Sequence, residues 1–370
     1  MNRTAIPFGP VVVNFSRKTG IVTNARGLLP DMSGMPLDDI RSILAGTPDR
    51  DETAARAAYE HQRDLVFPVR ERGRLASLAV WLAGWQGRAT PAATRIELSL
   101  FAGAQGQEGL EGAALHRAID DVRTRVLLLS AGGGAPNAVG VALGAGLKVF
   151  DLAVERPTPN PARGAAMTDR ECVAAMAFGM EAVAGQADIL CVGAIGVGTR
   201  IAAAGVAMAL MGGAPSDWLA GHVGDYARAV RHLEAVTAAE HWRRGDPLAI
   251  LQHLGCRELA AVTGAILAAR VQRMPVVLDG FEALVAAAVL ARLRPGAVDH
   301  CLVAGRDGSS SHDRIITHLQ FEPLLDLQVE GGDGLTALLA AQILRAACEL
   351  HGGLATHKQM QQLLNDLPPL

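Results

Sequence analysis

The 370-residue sequence has few aromatic residues, few charged residues and no long uninterrupted apolar run. Aromatic residues make up 4% of it and charged residues 19%, while half of all residues are apolar. No stretch approaches the ~20 consecutive apolar residues that span a bilayer, and the N-terminus lacks the apolar run of a signal peptide. The net charge of −3 offers no excess of positive charge for nucleic acid or an anionic membrane. These absences predict a cytoplasmic protein that binds neither.

Cysteine and histidine patterns typical of metal or disulfide frameworks are also missing. There are five scattered cysteines and no CxxC pair: Cys172, Cys191, Cys256, Cys301 and Cys348. Such a set is typical of reduced thiols in a protein core. The histidines His300, His312 and His318 form neither HxxxH nor HExxH. We therefore expect no metal and no resident cofactor.

Alanine and glycine are abundant, and their pattern divides the chain into three parts. Residues 1–50 show little periodicity and predict an N-terminal arm. Residues 51–94 and 335–370 have helical spacing and predict a smaller helical lobe. Residues 95–334 predict an α/β nucleotide-binding domain with strands at 95–103, 147–154, 187–193, 274–281, 297–305 and 324–332, while 126–134 fits a strand or a helix ending on glycine. The alternation predicts an α/β fold, a doubly wound, mainly parallel sheet with helices on both faces.

The stretch ILCVGAIGVGTRIAAAG, residues 189–205, joins an apolar run to a series of helix formers through Gly193, Gly196 and Gly198. Such a turn presents bare backbone N–H groups to an anion such as a phosphate. It lacks the third glycine of the dinucleotide fingerprint, which disfavours a Rossmann site. Two interpretations stay open: a phosphate turn, or a tight strand–helix connection that requires glycine.

Three other segments carry candidate polar groups. The stretch SAGGGAPNAVG has three consecutive glycines and Asn137, and taken alone it fits a flexible helix end. Asp279 follows the buried run VVL and is predicted as a site residue or a helix N-cap. Glu330 and Asp333 stand among glycines before a helix, where either is a candidate base or an acid favoured by the helix dipole. The serines of RDGSSSHDR lack the strand-to-helix elbow of a serine hydrolase.

Taken in order, several segments resemble the nicotinate-nucleotide:dimethylbenzimidazole phosphoribosyltransferase family of cobalamin nucleotide-loop assembly. The resemblance covers roughly residues 55–360 and rests on FAGAQG, AGGGAPN, ILCVGAIGVGT, CRELAAVTGAILAARVQRMPVVLDGF and FEPLLDLQVEGGDG. It implies transfer of ribose phosphate from nicotinate mononucleotide to a nitrogen of a dimethylbenzimidazole-like base. It also implies that a carboxylate takes the azole proton, that no metal is required and that the protein is a homodimer.

The resemblance also implies a set of site residues. Asp333 takes the place of the catalytic base. The substrate and phosphate positions are Gly132, Gly133, Asn137, Gly193, Gly196, Gly198, Thr199, Arg200, Arg257, Asp279, Gly280, Phe281, Gly332 and Gly334. Glu258, next to Arg257, is retained as well.

Several polar positions depart from the family pattern. Asp333 stands for a glutamate, Glu330 for an arginine, and Phe67 for a lysine. Other departures are Ala104, Gln105, Ala194, Thr199, Arg200, Gly305 and Ser309. One interpretation is a diverged transferase, with full or impaired activity, acting on another azole or phenolic base, with Asp333 as base and Arg200 or Arg257 at the phosphate. The other is a non-catalytic homologue that binds a nucleotide or pairs with an active paralogue. An NAD-dependent oxidoreductase is disfavoured by the incomplete fingerprint.

Overall fold

Six parallel strands form the central sheet of the protein, in the order β1-β3-β2-β4-β5-β6. The computed structural model describes residues 11–14 (backbone only), 35–185, 187–219, 225–239 and 245–366. Within them the strands are β1 Val11–Asn14, β2 Ile96–Ala104, β3 Gly146–Asp151, β4 Ile189–Val197, β5 Val276–Leu278 and β6 Cys301–Val303. Because all pairs are parallel, every strand ends at the same edge of the sheet.

Helices connect and cover these strands. They are α1 Pro36–Ala45, α2 Glu52–Asp64, α3 Val69–Arg72, α4 Arg74–Gln86, α5 Gly112–Ser130, α6 Ala135–Leu143, α7 Asp169–Met180, α8 Thr199–Met211, α9 Pro215–Trp218, α10 Tyr226–Ala238, α11 Pro247–Leu254, α12 Arg257–Val271, α13 Gly280–Leu293, α14 Ser310–Leu319, α15 Leu335–Gly353 and α16 His357–Asn365. A 3₁₀ turn, Glu181–Gly185, extends α7.

The two faces of the sheet are buried under separate groups of helices. Strands β2 and β4 are nine residues long and almost wholly buried, as expected for central strands of a parallel sheet. One apolar core joins the sheet to α1, α7, α8 and α10–α14, and the other joins it to α4, α5, α6 and α15. The predicted doubly wound α/β fold is therefore confirmed.

The smaller helical lobe is made by segments from both ends of the chain. Helix α4 packs against α2 and α15. The Val66 N–H donates to the Ala355 carbonyl at 2.9 Å, and His61 Nε2 lies 2.9 Å from the His351 carbonyl oxygen. These contacts agree with the lobe in the predicted fold, while the domain boundaries themselves stay predictions.

Helices α7 and α12 approach each other unusually closely through two glycines. A Cβ atom on Gly264 would overlap the backbone carbonyl of Met176, and one on Gly179 would overlap that of Ala261. Helix α12 is buried along nearly its whole length and lies against β2 and β4. The glycines thus set how near α12 lies to its neighbour.

The stretch Gly112–Leu143 is apolar and long enough by composition to cross a membrane, with 39% of its most apolar window buried. It comprises two helices, α5 and α6, rather than one. Ile119, Val126, Leu129 and Leu143 pack into the core beneath the sheet. Helices that pack one face into the core of a globular protein can share this composition.

Two strand predictions need correction. Residues 324–332 were predicted to form a buried strand, and this is wrong: only Leu324 and Leu325 donate backbone hydrogen bonds to the end of β6. Leu327 is 56% exposed, and Gln328 has a left-handed φ of 52° that breaks extended backbone. Strand β4 runs four residues beyond the predicted 187–193, and the ambiguous stretch 126–134 is the end of α5 followed by a turn.

Candidate active site

A cavity of about 320 Å³ opens at the edge where the parallel strands end. Ligands of open α/β sheets bind at this edge. One wall is apolar and is formed by Leu110, Ala118, Val122, Val197 and Ile201. Polar groups complete the cavity: Gln107, Asp121, Arg200, Arg228 and the glycines Gly196 and Gly198. The volume is that of a small-molecule site, and the lining suits a molecule with an apolar part and a charged part.

Only the last of the three glycines in the stretch 189–205 forms a turn. Gly198 has a φ of 76° and is the N-cap of α8. Because Gly198 lines the cavity, the N–H groups of the first turn of α8 lie next to it. Gly193 and Gly196 lie inside β4. A Cβ on Gly193 would overlap the Gly332 carbonyl, and one on Gly196 would overlap the Thr199 hydroxyl. Close packing therefore explains these two glycines, and the anion-binding geometry belongs to Gly198 and α8.

The two arginines of the cavity differ in how their charge is balanced. The Arg200 guanidinium lies 4.2 Å from the Phe281 ring centroid, and its Nη atoms lie 3.8 Å from Glu282 and 3.7 Å from Asp307. Arg200 also donates to the hydroxyls of Ser309 at 3.2 Å and Ser311 at 3.1 Å.

Arg228, on α10, donates to Gln107 Oε1 at 2.7 Å, and its Nε lies 3.9 Å from the exposed Asp225. At similar distances, two buried carboxyls thus neutralise Arg200 more than the single solvated carboxyl of Asp225 neutralises Arg228. Arg228 is the cation better able to meet an anion. Sequence reasoning missed it because an arginine on an amphipathic helix carries no distinguishing pattern.

Arg257, predicted at the phosphate, points to the backbone instead. Its Nη1 donates to the Arg156 carbonyl at 2.6 Å and the Leu152 carbonyl at 3.2 Å, which fixes the loop that follows β3. Asn137 is similarly occupied in the turn between α5 and α6: its Oδ1 accepts from the Gly134 N–H and its Nδ2 donates to the Leu129 carbonyl. Neither Asn137 nor the neighbouring Gly132 and Gly133 lines the cavity.

Asp279 ends β5 and is buried at 2% exposure. It occupies the N-cap position of α13, yet its side chain makes no capping bond there. Its carboxyl instead faces the N–H groups of Gly334 and Ala337 at the start of α15. Burial, reinforced by the nearby charge of Asp333, raises the pKa of Asp279 to about 7 despite these N–H groups.

The loop 330–334 lies over Gly193 in β4 and over Gly280 at the start of α13. Gly280 has a φ of 80°, and a Cβ there would lie 2.9 Å from the Gly332 nitrogen. Within this loop Asp333 accepts from Arg125 Nη2 at 3.0 Å and from the Leu335 N–H at 3.3 Å. Arg125 follows Asp121 by about one turn of α5, and Asp333 is not among the residues that line the cavity.

Glu258 is completely buried beneath the cavity. Its Oε1 accepts from the Thr199 hydroxyl at 2.6 Å, and its Oε2 has no hydrogen-bond partner among the described residues. A Cβ on Gly103 would overlap this carboxyl, so glycine in β2 makes room for it. Burial raises the pKa of Glu258, which favours a neutral acid that holds the first turn of α8.

Glu258→Ala is expected to lower the free energy of unfolding by about 2–4 kcal/mol, because it leaves a cavity and an unpaired Thr199 hydroxyl. Glu258→Gln, which mimics the neutral acid, is expected to lower it by less than about 1 kcal/mol. Urea unfolding measures both. A raised pKa contributes stability that is fully present below the ordinary glutamate pKa and is lost as pH rises through the folded value. The wild type should therefore lose stability relative to Glu258→Gln as pH rises above the ordinary glutamate pKa. Equal losses in both variants would contradict a neutral Glu258.

Gln105 and His312 are also buried at this edge. Gln105 Nε2 donates to the carbonyls of Leu254 and Gly255, which joins the end of β2 to the start of α12. His312 Nδ1 lies 3.7 Å from Asp307, and burial lowers the pKa of His312. Across the described ranges, no group of three His, Cys, Asp or Glu side chains is arranged to hold a metal ion.

Comparison with known proteins gives a consistent result. A family model described as phosphoribosyltransferase matches residues 47–361. The nicotinate-nucleotide–dimethylbenzimidazole phosphoribosyltransferase of Brucella canis is 41% identical over 331 residues, which covers 88% of this chain and 97% of the relative. That of Brucella anthropi is 40% identical over the same length. The crystal structure of the Thermus thermophilus enzyme of this name matches with a TM-score of 0.74 and 28% identity, over 84% of this chain and 98% of that one.

Proposed function

The chain belongs to the nicotinate-nucleotide–dimethylbenzimidazole phosphoribosyltransferase family, and on that premise we propose that it transfers the phosphoribosyl group of nicotinate mononucleotide to a nitrogen of a dimethylbenzimidazole-like base in cobalamin biosynthesis. The observation that carries this proposal is the cavity at the end of β4. It combines an apolar wall with Arg228, Gln107 and the N-terminus of α8. The apolar wall suits aromatic rings, and the polar groups suit a phosphate.

The phosphate is assigned to the end of the cavity formed by Gly198, the first-turn N–H groups of α8 and Arg228. A helix N-terminus and a guanidinium both favour a dianionic group. Holding the phosphate there anchors the ribose beside the apolar wall. No metal or resident cofactor takes part in this proposal.

Asp333 is assigned as the general base. It takes the azole N–H proton, the ring nitrogen attacks the anomeric carbon, and nicotinate leaves with the electron pair of its bond to that carbon. Its place in the loop over β4 and its ion pair with Arg125, about one turn of α5 from Asp121 of the cavity, support this role. Asp279 and its neighbouring glycines hold the loop that carries Asp333.

A non-catalytic homologue is the second candidate, and one observation favours it. Arg200 is enclosed by Glu282, Asp307 and two serines, so a cation of the cavity wall is occupied by the protein itself. Such a protein binds the nucleotide without releasing nicotinate, alone or with an active paralogue. Calorimetric binding of nicotinate mononucleotide without nicotinate release on addition of an azole would support this candidate and exclude the transferase.

The location and assembly are parts of the same proposal. We expect a cytoplasmic protein that acts on small molecules and forms a homodimer, or a mixed oligomer with a paralogue. Light scattering of the pure protein tests the homodimer, and co-purification with the paralogue tests the mixed assembly. A monomer in both measurements would contradict both assemblies.

Arg228→Gln is expected to weaken the binding of nicotinate mononucleotide by about 10- to 100-fold, because a hydrogen bond to a charged group contributes about 1.5–3 kcal/mol. Calorimetry with the nucleotide measures the loss. Arg231→Gln is the matched control, since Arg231 is exposed on the same helix. If the wild type and Arg228→Gln bind the nucleotide equally well, the assignment of the phosphate to this end of the cavity is wrong.

A further inference from the structure

Among the described residues that line the cavity, Asp121 is the one carboxylate. It lies on α5, where its neighbours on the cavity wall are Ala118 and Val122. The adjacent Asp120 differs, because it pairs with Arg123 at 3.5 Å. Asp121 has no ion pair or hydrogen bond with any side chain of the described ranges. An unpaired carboxylate therefore interrupts an otherwise apolar wall.

The charges around the cavity decide which part of a bound substrate this carboxylate meets. A phosphate is repelled by Asp121 and attracted by Arg228 and the N-terminus of α8. The part of the substrates that lies against the α5 wall is then an aromatic ring. A carboxylate covered by such a ring loses hydration, and this loss is unfavourable unless the ring returns a hydrogen bond.

We propose that Asp121 selects the acceptor base, favouring azoles that carry a hydroxyl or amino donor on the fused ring over 5,6-dimethylbenzimidazole. This inference rests on the proposed function, because it requires the acceptor to bind in this cavity. A donor on the ring pairs with the Asp121 carboxylate, whereas two methyl groups leave it desolvated and unpaired. A site that hydrogen-bonds a substrate group discriminates against analogues that lack it.

The size of the effect follows from the exposure of Asp121. A fully buried hydrogen-bonding group can disfavour a substrate that lacks the matching group by about 10⁴-fold or more, as synthetase sites do for amino acids that lack a hydroxyl. Asp121 keeps access to solvent in the free protein, so water replaces part of the lost hydrogen bond. We expect about a tenfold preference for the donor-bearing acceptor.

The test compares 5-hydroxybenzimidazole with 5,6-dimethylbenzimidazole as acceptors at saturating nicotinate mononucleotide. In the wild type the ratio of kcat/KM values should favour the hydroxyl acceptor about tenfold, and Asp121→Val should reduce that ratio to about one. The change should lie in the KM for the hydroxyl acceptor, with the KM for the nucleotide unchanged. Asp120→Val is the matched control and should keep the wild-type ratio.

An unchanged ratio in Asp121→Val, or an equal change in Asp120→Val, would overturn the role of Asp121. If no acceptor is converted, the transferase proposal fails separately. In that case calorimetry measures the affinity of each acceptor for the nucleotide-bound protein. The ratio of the two affinities is compared among the wild type, Asp121→Val and Asp120→Val, and it decides the role of Asp121. Equal affinities in the wild type would overturn it.

Discussion

Gly264→Ala is expected to lower the free energy of unfolding by about 3 kcal/mol, at the upper end of the range for overpacked cores. The new Cβ would overlap the Met176 backbone carbonyl, and a backbone atom cannot move aside as a flexible side chain does. Helix α12 must therefore shift away from α7. Because Arg257 and Glu258 begin α12 and fix the loops of the site, the same change should reduce binding of the nucleotide.

Urea unfolding measures this loss of stability. Gly353→Ala is the matched control, since Gly353 is the last residue of α15 and a Cβ there meets no atom within 4 Å. That substitution should leave the stability unchanged or raise it slightly, because alanine restricts the unfolded chain. If Gly264→Ala were as stable as Gly353→Ala, the close approach of α7 and α12 would be wrong.

Asp333→Asn is expected to slow release of nicotinate by about 10²- to 10⁴-fold, the usual contribution of general-base catalysis. Asparagine keeps the size of the side chain and its bond to the Leu335 N–H, yet it cannot take a proton. Nucleotide binding should change little, since Arg228 and the N-terminus of α8 carry the phosphate. Single-turnover release of nicotinate with excess enzyme measures the chemical step.

Two further variants make this result specific. Asp326→Asn alters an exposed acid of the same segment and should leave the rate unchanged. Glu330→Gln tests the second acid of the segment, which the sequence also offered as a base. If nicotinate release is slow in Glu330→Gln and normal in Asp333→Asn, the base is Glu330 and not Asp333.

The architecture followed from the sequence because buried parallel strands leave a strong local signal. The run Ile189–Leu190–Cys191–Val192 and the helical spacing around it predicted where β4 and its neighbours lie, although β4 extends beyond its predicted end. The segment 324–332 was wrongly predicted to be a strand because its leucines are typical of a buried strand. The segment instead contains the left-handed residue Gln328 and places Gly332 over Gly193 and Gly280. These features depend on contacts between segments that are distant in the sequence.

The candidate site was harder to predict for the same reason. The glycines were recognised, but whether Gly193 and Gly196 meet a ligand or another backbone depends on what packs against β4. Gln107, Asp121 and Arg228 lie on three separate segments and meet only when the sheet is assembled. Arg200 was placed near the phosphate from its position in the motif, and its partners Glu282 and Asp307 lie far along the chain.

Transfer of the phosphoribosyl group is the central claim, and the amount of nicotinate released by the pure protein tests it most directly. The protein is incubated with nicotinate mononucleotide, with and without 5-hydroxybenzimidazole or 5,6-dimethylbenzimidazole, and nicotinate and the new N-glycoside are quantified together. We expect release that depends on the azole, with one N-glycoside formed per nicotinate. No nicotinate at high protein concentration, while calorimetry still detects nucleotide binding, would contradict the transferase and leave a binding protein.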